Sequence, residues 1–158
     1  MVKETLLTQI ATMQDYFNRS TRELAESDSG FAPREGMFTA AQVVAHVAHT
    51  IEWFVDGAFA EGGFDMDFAS IDALVRTVTS LTAAREWFAK AIARAQAVVE
   101  AHSDEEWLDT LQPNLIMGEV PRMVIFGAIT DHTAHHRGAL TVYTRLLGKV
   151  PPMPYMDA

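Results

Sequence analysis

Apolar side chains recur every three or four residues along four separate segments of the chain. This spacing aligns them on one side of an α-helix, so each segment is predicted to be an amphipathic helix. The four segments span residues 3–25, 39–60, 82–102 and 121–147. Because such helices are stabilised mainly by covering their apolar faces, the pattern predicts an all-α four-helix bundle. No segment shows the alternating pattern of a half-buried strand.

Turn-forming residues separate the predicted helices by long connections. Residues 27–36 combine glycine, proline, serine and aspartate, which indicates a loop. Thr39 and Gln42 have the spacing of a capping box, which would start the second long helix. Within the connections we expect a short extra helix around 71–78 and a further helical turn at 103–107.

Length and charge limit the size and the partners of this bundle. A chain of 158 residues, 49% of them hydrophobic, can build one sizeable core, and we expect residues 1–158 to form a single domain. Twelve Lys and Arg against 21 Asp and Glu give a formal charge of -9, which would repel nucleic-acid phosphates and anionic lipid. We therefore expect no nucleic-acid partner, and the lack of a long apolar run predicts no membrane association.

Cysteine is missing from the sequence. Disulfides, thiolate metal sites and a cysteine nucleophile are therefore excluded, and a metal could be held only by His, Asp or Glu. The first residues lack the apolar core of a signal peptide, so we expect a cytoplasmic, unprocessed protein. Glycine-rich phosphate loops, dinucleotide fingerprints and the Gly-x-Ser-x-Gly elbow are also absent from the sequence.

The most informative motif is Asp-His-Thr-Ala-His-His-Arg-Gly at residues 131–138, within the last predicted helix. His132 and His136 lie one turn apart in the apolar stripe, so both imidazoles project toward nearly the same point. One buried histidine is usually satisfied by hydrogen bonds. Two adjacent buried imidazoles are costly unless each finds a partner, and one shared metal ion serves both. The spacing therefore favours a metal site with a third ligand from another helix.

The second predicted helix offers two histidines for that third position. His46 lies at the border of the apolar face, whereas His49 falls on nearly the opposite side and is expected at the surface or behind the ligands. His46 is the better candidate. In the last helix, His135 falls at the edge of the stripe and Arg137 well off it, so we expect neither to join the pair. His102, at the end of the third helix, is expected as a cation favoured by a helix C-terminus.

Three neutral imidazoles would leave coordination positions open for water or substrate, as in catalytic sites. Zinc, nickel, iron or manganese could occupy such a site, because ligand identity alone does not select the metal. Asp131, Glu52 or His49 could orient a ligand or carry a proton, and Arg137 could bind an anionic substrate; each is more often an ordinary surface residue. Another possibility is that the histidines bind no metal and are hydrogen-bonded in the core.

Three motifs follow one another along most of the chain: Phe38-Thr39 with Gln42-Val-Val-Ala-His46, then His132-Thr-Ala-His-His136-Arg-Gly, then Tyr143-Thr-Arg-Leu-Leu-Gly-Lys-Val-Pro-Pro. In this pattern the sequence resembles the DinB-like superfamily, bacterial bundles that include YfiT-like metal-dependent hydrolases and thiol-dependent S-transferases. The resemblance implies that His46, His132 and His136 bind a divalent metal, often nickel or zinc, and that the protein forms a homodimer. Two positions depart from the pattern: Ala139 replaces a frequent Gln, and His49 a frequent acidic residue.

Two hypotheses of different class follow from these residues and this resemblance. In the first, the protein is a metal-dependent enzyme, a hydrolase or a low-molecular-weight-thiol S-transferase acting on a small-molecule substrate. The metal would lower the pKa of a bound water or thiol co-substrate and so supply the nucleophile. In the second, the protein is a non-catalytic stress-response or binding module with a structural metal. An open pocket at the ion favours the enzyme, and complete burial favours the module.

Overall fold

The computed structural model describes residues 1–156, and within that range it contains helices and no named β-strand. The α-helices are α1 (Val2–Thr21), α2 (Ala40–Gly57), α3 (Phe68–Arg76), α4 (Leu81–Ala101), α5 (Asp104–Leu108) and α6 (Ile125–Leu146). Single 3₁₀ turns at Glu26–Asp28 and Arg122–Val124 lie in the connections. The long helices α1, α2, α4 and α6 form the bundle, which confirms the predicted all-α four-helix architecture.

The ends of the first and last long helices differ from their predicted positions. The chain leaves α1 at Thr21 because the guanidinium of Arg85 donates to the carbonyl oxygens of Thr21 and Leu24, at 2.7 and 3.0 Å. These bonds replace those of a further helical turn. The last helix begins at Ile125, because Pro121 lies just before a 3₁₀ turn instead of inside the first α-helical turn.

Side-chain caps fix the beginnings of the helices that surround the site. The Thr39 hydroxyl accepts from the Gln42 backbone N–H at 3.3 Å, and the Gln42 amide oxygen accepts from the Thr39 N–H at 3.0 Å. The predicted capping box of α2 is therefore confirmed. The extra helix begins at Phe68 rather than at 71, because the Asp67 carboxylate accepts from the Ser70 N–H at 3.1 Å and starts α3 earlier.

The long helices are arranged so that α1 and α2, which follow one another in sequence, are separated by the other two. Both α1 and α2 pack against α4 and against α6. Near the starts of α1 and α6, the Gln9 amide donates to the carbonyl of Phe126 at 3.0 Å. Further along both helices, the guanidinium of Arg137 lies over the ring of Tyr16. Helices α1 and α6 therefore run in the same direction.

Helices α2 and α6 run in opposite directions and form the pair that carries the histidines. At one end, the Tyr143 hydroxyl donates to the carbonyl of Phe38 at 3.0 Å. At the other end, the Arg122 guanidinium donates to the carbonyl of Ala58 at 3.0 Å. These contacts hold the middle of α2 opposite the middle of α6.

Buried apolar side chains from all four long helices form a continuous core. The largest fully buried side chains include Trp107, Phe17, Phe126, Leu6, Ile10 and Ile51. Within residues 1–156, none of the helices has both the length and the apolar character that crossing a membrane requires.

Candidate metal centre

Three histidine side chains from α2 and α6 meet at one point. The Nε2 atom of His132 lies 3.1 Å from Nε2 of His46 and 3.2 Å from Nε2 of His136. The candidate ligand atoms of all three residues lie within 4.8 Å of one another. The structure thus brings together the three histidines that the sequence and the resemblance singled out.

Local packing on α2 and α6 explains this convergence. One helical turn separates His132 from His136, so their rings lie on the same face of α6, with centroids 4.4 Å apart. The hydrogen bond from Tyr143 to the Phe38 backbone holds the start of α2 against α6. The ring of Phe38 lies 5.5 Å from that of His46 and forms part of its support.

Burial keeps the three imidazoles neutral near neutral pH. Removal from water, together with the smaller effect of the neighbouring imidazoles, lowers the pKa of His132 to about 4 and that of His136 to about 3. Burial also lowers the pKa of His46. Because a neutral imidazole is the form that binds a metal, each ring can offer a lone pair without first losing a proton.

The spacing of the nitrogen atoms fits a shared metal ion. Metal–nitrogen bonds of about 2.0–2.1 Å place two coordinated nitrogens roughly 3 Å apart, and the observed separations are 3.1 and 3.2 Å. A neutral ring has either a hydrogen or a lone pair at Nε2, so His132 cannot make both short contacts as ordinary hydrogen bonds. Coordination of one cation by all three nitrogens accounts for both contacts.

The Nδ1 atom of His132 tests the alternative in which the histidines bind no metal and are hydrogen-bonded in the core. This Nδ1 atom is buried and has no hydrogen-bond partner among the described residues. Buried polar groups held for structural reasons are almost always hydrogen-bonded. The ring of His132 is therefore not explained as an ordinary core histidine.

A cavity of about 270 Å³ adjoins the cluster, and both His46 and His132 contribute to its wall. The rest of the lining comes from α2, α3 and the connection before α6, through His49, Thr50, Trp53, Phe54, Phe68, Ile71 and Ile116. A small molecule in this cavity would lie beside two of the three imidazoles.

His49 lies beside the histidine cluster. Its ring is half-buried, lines the cavity together with His46, and stands edge-on to the ring of Trp87 at 6.0 Å. The sequence placed it on the side of α2 away from the apolar face, either at the surface or behind the ligands, and its half-buried position beside His46 agrees with the second alternative. Helices α3 and α4 cover that side, which the spacing within α2 alone cannot reveal. Burial lowers the pKa of His49, while the Glu52 and Asp65 carboxylates act to raise it.

The remaining candidate residues lie outside the cluster. The Glu52 carboxylate accepts from the indole N–H of Trp87 at 2.8 Å. Asp131 and His135 are exposed on α6. Arg137 lines a separate cavity of about 430 Å³ beside the C-terminal segment, which none of the three clustered histidines lines. Binding of an anionic substrate by Arg137 stays a prediction, and it would take place in that separate cavity.

The position of His102 agrees with the prediction that it ends the third long helix. It is the C-cap residue of α4, and its ring stacks on Phe59 with centroids 3.6 Å apart. Its Nδ1 atom lies 3.0 Å from a carboxylate oxygen of Glu106. His102 therefore joins the end of α4 to α5, away from the histidine cluster.

The apolar walls of the cavity were not predicted from the sequence. Phe68 and Ile71 are three residues apart and share a face of α3, which is the signal that could have identified them. Ile116 lies in an irregular connection and carries no such signal, since only the folded chain brings it to the cavity.

Comparisons with known proteins add a family and several similar folds. A family model described as DinB superfamily matches residues 9–140. A DinB-like protein from Bacillus cereus superposes with a TM-score of 0.74 at 17% identity, covering 94% of this chain and 95% of that one. YfiT from Bacillus subtilis superposes with a TM-score of 0.70 at 15% identity, covering 93% of this chain and 88% of that one. It is described as a probable metal-dependent hydrolase with an unusual four-helix bundle topology.

A third solved structure is that of a mycothiol-dependent maleylpyruvate isomerase. It superposes with a TM-score of 0.69 at 18% identity and covers 87% of this chain, which itself spans only 60% of the isomerase. No curated protein sequence matches the chain. At these low identities, the structural likenesses show a common fold.

Proposed function

The chain belongs to the DinB superfamily, and from that premise we propose that it is an enzyme that depends on a divalent metal and acts on a small molecule. The reaction would be hydrolysis or transfer of a low-molecular-weight thiol. The observation that carries the proposal is the convergence of three imidazole nitrogens at the wall of a cavity. Two similar folds support it, because one belongs to a probable metal-dependent hydrolase and another to a mycothiol-dependent isomerase.

His46, His132 and His136 would hold the metal through their Nε2 atoms. When bound, a divalent metal lowers the pKa of a coordinated water or thiol and so supplies a nucleophile near neutral pH. Three histidine ligands leave at least one coordination position for that nucleophile or for substrate. We propose nickel or zinc as the metal, with iron or manganese as alternatives, because imidazole binds all of them.

His49 is the residue we propose to hold or move a proton at the substrate. Of the three side chains considered for this role, Glu52 is hydrogen-bonded to Trp87 and Asp131 is exposed on α6. Only His49 lines the cavity beside the clustered histidines. A neutral imidazole at this position could accept a proton from the nucleophile or return it to a leaving group.

The competing function is a non-catalytic stress-response or binding module with a structural metal. Structural metal sites are closed by their protein ligands, whereas catalytic sites keep a position open. The cavity lined by His46 and His132 favours the catalytic alternative. From the superfamily likeness we also propose a homodimer, which light scattering of the purified protein would test.

Metal analysis of protein purified without a histidine tag is the first test. With nickel and zinc supplied during expression, we expect close to one metal ion per chain, and loss of that ion in His132→Ala and His136→Ala. His135→Ala is the matched control, because His135 is on the same helix but exposed. Wild-type protein that contains no metal under these conditions would overturn the proposal.

A second experiment separates a catalytic from a structural metal. In cobalt-loaded protein, the visible absorption spectrum reports the coordination of the ion, and added azide should change it if a position is open. An unchanged spectrum would favour the structural module. Activated esters tested without thiol, and electrophiles tested with a low-molecular-weight thiol, would then distinguish hydrolysis from thiol transfer.

A further inference from the structure

We propose that the substrate of this site carries an uncharged apolar group, of the size of a substituted aromatic ring, that binds in the cavity between α2 and α3 beside the histidine cluster. The inference rests on the proposed function, since the reacting part of the substrate would lie at the histidines. It adds the chemical class of the rest of the molecule, which the family match does not specify.

The cavity has a polar side and an apolar side. The polar side consists of His46, His49 and His132 together with Thr50, whose hydroxyl already donates to the backbone carbonyl of His46 at 2.8 Å. The apolar side is formed by Trp53, Phe54, Phe68, Ile71 and Ile116. Small-molecule sites commonly combine such an apolar lining with a few polar groups that orient the ligand. Here the polar groups are at the proposed reaction centre.

The volume of the cavity suits one ring system. An apolar cavity of roughly 150 Å³ is large enough for benzene, and this cavity measures about 270 Å³. It therefore accommodates a substituted phenyl group or a fused pair of rings, with room left for the reacting group near the histidines.

The main aromatic wall is already held in place. The indole N–H of Trp53 donates to the carbonyl of Asp65 at 2.6 Å. The ring of Trp53 is stacked on Phe64 with centroids 4.7 Å apart and meets Phe54 edge-on at 4.8 Å. Because these contacts fix the indole, little conformational freedom would be lost when a ligand packs against it.

The charges around the cavity disfavour an anionic group. Among the described residues, no Lys or Arg lines it. The carboxylate of Asp72 is near enough to act on His46, and that of Asp65 on His49. Arg76 on α3 is paired with Asp72 at 2.7 Å and lies over the ring of Phe38. A carboxylate or phosphate at the apolar side of the cavity, away from the proposed metal, would therefore meet no Lys or Arg side chain of the cavity lining.

Apolar side chains also remain exposed around the cavity. Phe68 is 51% exposed, Ile116 is 41% exposed, and the neighbouring Leu115 is 95% exposed. The turn that carries Ile116 is held by the Asn114 side chain, which accepts from the backbone N–H of Ile116 at 3.1 Å. Exposed apolar groups that gather at one place commonly mark a binding surface. Phe68 and Ile116 also line the cavity, so part of its apolar wall is open to solvent and available to an apolar ligand group.

Hydroxamate probes test this inference by binding rather than by activity. Acetohydroxamate and benzohydroxamate coordinate a metal through the same group and differ in a methyl or a phenyl substituent. Titrated into cobalt-loaded wild-type protein and followed by visible absorption, benzohydroxamate should bind about tenfold more tightly, because its ring is buried in the cavity. A benzohydroxamate with a carboxylate at the far side of the ring should lose most of that advantage.

A pair of variants on α3 provides the control. Ile71→Asp places a charge in the cavity wall and should remove the preference for benzohydroxamate. Leu74→Asp introduces the same charge on the same helix at an exposed position that does not line the cavity, and should keep the preference. Cobalt content and helical circular dichroism, measured for both variants, would confirm that each is folded and loaded.

The possible results separate this inference from the proposed function. Wild-type protein that binds cobalt but shows equal affinity for the methyl and phenyl probes, or tighter binding of the carboxylated probe, would overturn the inference alone. A preference for benzohydroxamate that persists unchanged in Ile71→Asp would also overturn it. Wild-type protein that binds no cobalt would overturn both proposals.

Discussion

His132 occupies the centre of the cluster, and its environment is unfavourable in the absence of a metal. Its Nε2 atom is in short contact with both other imidazoles, and its Nδ1 atom is buried without a hydrogen-bond partner among the described residues. A leucine has a similar volume and no polar atom to satisfy. The residue best placed to bind a metal is thus one whose removal should benefit the metal-free fold.

We expect His132→Leu to raise the free energy of unfolding of the metal-free protein by about 1 kcal/mol, because it removes a buried unpaired polar atom. Urea denaturation in the presence of a chelator would measure the change. His135→Leu, at an exposed position of the same helix, should alter the stability much less. A clear loss of stability in His132→Leu would show that the imidazole is satisfied in a way that the structure does not contain.

Substitution of His49 should change the pH dependence of catalysis and leave the metal content unchanged. If this ring moves a proton, His49→Gln should lower turnover by about 10²- to 10⁴-fold and remove one limb of the pH–rate profile. Turnover of a substrate found among the ester and thiol-acceptor screens would be measured across pH, with metal content determined in parallel. If turnover falls by the same factor at every pH, so that the shape of the pH–rate profile is unchanged, His49 has a structural role.

Among the elements, the connection after α2 depends on a close approach at Gly57. A Cβ atom added there would collide with the ring of Phe64, which in turn stacks on Trp53. The glycine that ends α2 therefore allows the chain to fold back and hold the aromatic wall of the cavity. The geometry of this wall is determined by a backbone position that does not itself line the cavity.

Gly57→Ala should destabilise the protein by about 1–3 kcal/mol, because the displaced Phe64 ring must find another position. Gly127→Ala is a suitable control: it is also in a helix, but an added Cβ meets nothing within 4 Å. Gly127→Ala should stabilise the protein by about 0.5–1 kcal/mol, because alanine has a higher helix propensity than glycine. Thermal unfolding of both variants would measure the difference, and equal effects would contradict the proposed collision.

Helix α5 holds the start of α1 through a carboxylate whose pKa is strongly lowered. Asp104 accepts from the backbone N–H of Lys3, from the terminal amino group and from the N–H of Val2, and these bonds lower its pKa to about 2. In the unfolded chain an aspartate titrates near pH ~3.9. Between these two values the unfolded state binds more protons, so stability falls as the pH falls.

The free energy of unfolding should therefore hold steady above about pH 5 and decrease between about pH 4 and 2. Asp104→Asn should make that decrease shallower and also lower stability at pH 7, since the charged acceptor for the start of α1 is lost. Asp131→Asn, an exposed position on α6, should leave both properties unchanged. Denaturation by urea at a series of pH values would provide the comparison.

The sequence predicted the long helices and the clustering of the three histidines because both depend largely on spacing within single elements. The spacing of one helical turn within α6 identifies the pair His132 and His136. The position of His46 at the border of the apolar face of α2 identifies it as the third candidate. His49 and the cavity walls depend on how α3, α4 and the connection at Ile116 lie against α2. Sequence spacing gives no access to those contacts, since they are set by tertiary packing.

For the whole molecule, metal binding and folding should be linked. A ligand that binds only the folded state stabilises it by RT ln(1 + [L]/Kd), about 2.7 kcal/mol when the free ligand is at 100 times its Kd. We expect nickel or zinc to raise the midpoint of thermal unfolding of chelator-treated protein, and the increase to disappear in His46→Ala. Calorimetry at several metal concentrations would measure this dependence, and an unfolding midpoint independent of metal would contradict it.

The two halves of the triad are far apart in the chain, because His46 and His132 are separated by 86 positions in the sequence. An ion held by both would close a large loop and restrict the unfolded chain, much as a covalent cross-link does. In a protein that has no cysteine, coordination is then the chemical means of tying together distant segments. Chelation would release that tie without breaking a covalent bond, so the ion proposed for the reaction would also lengthen the lifetime of the fold.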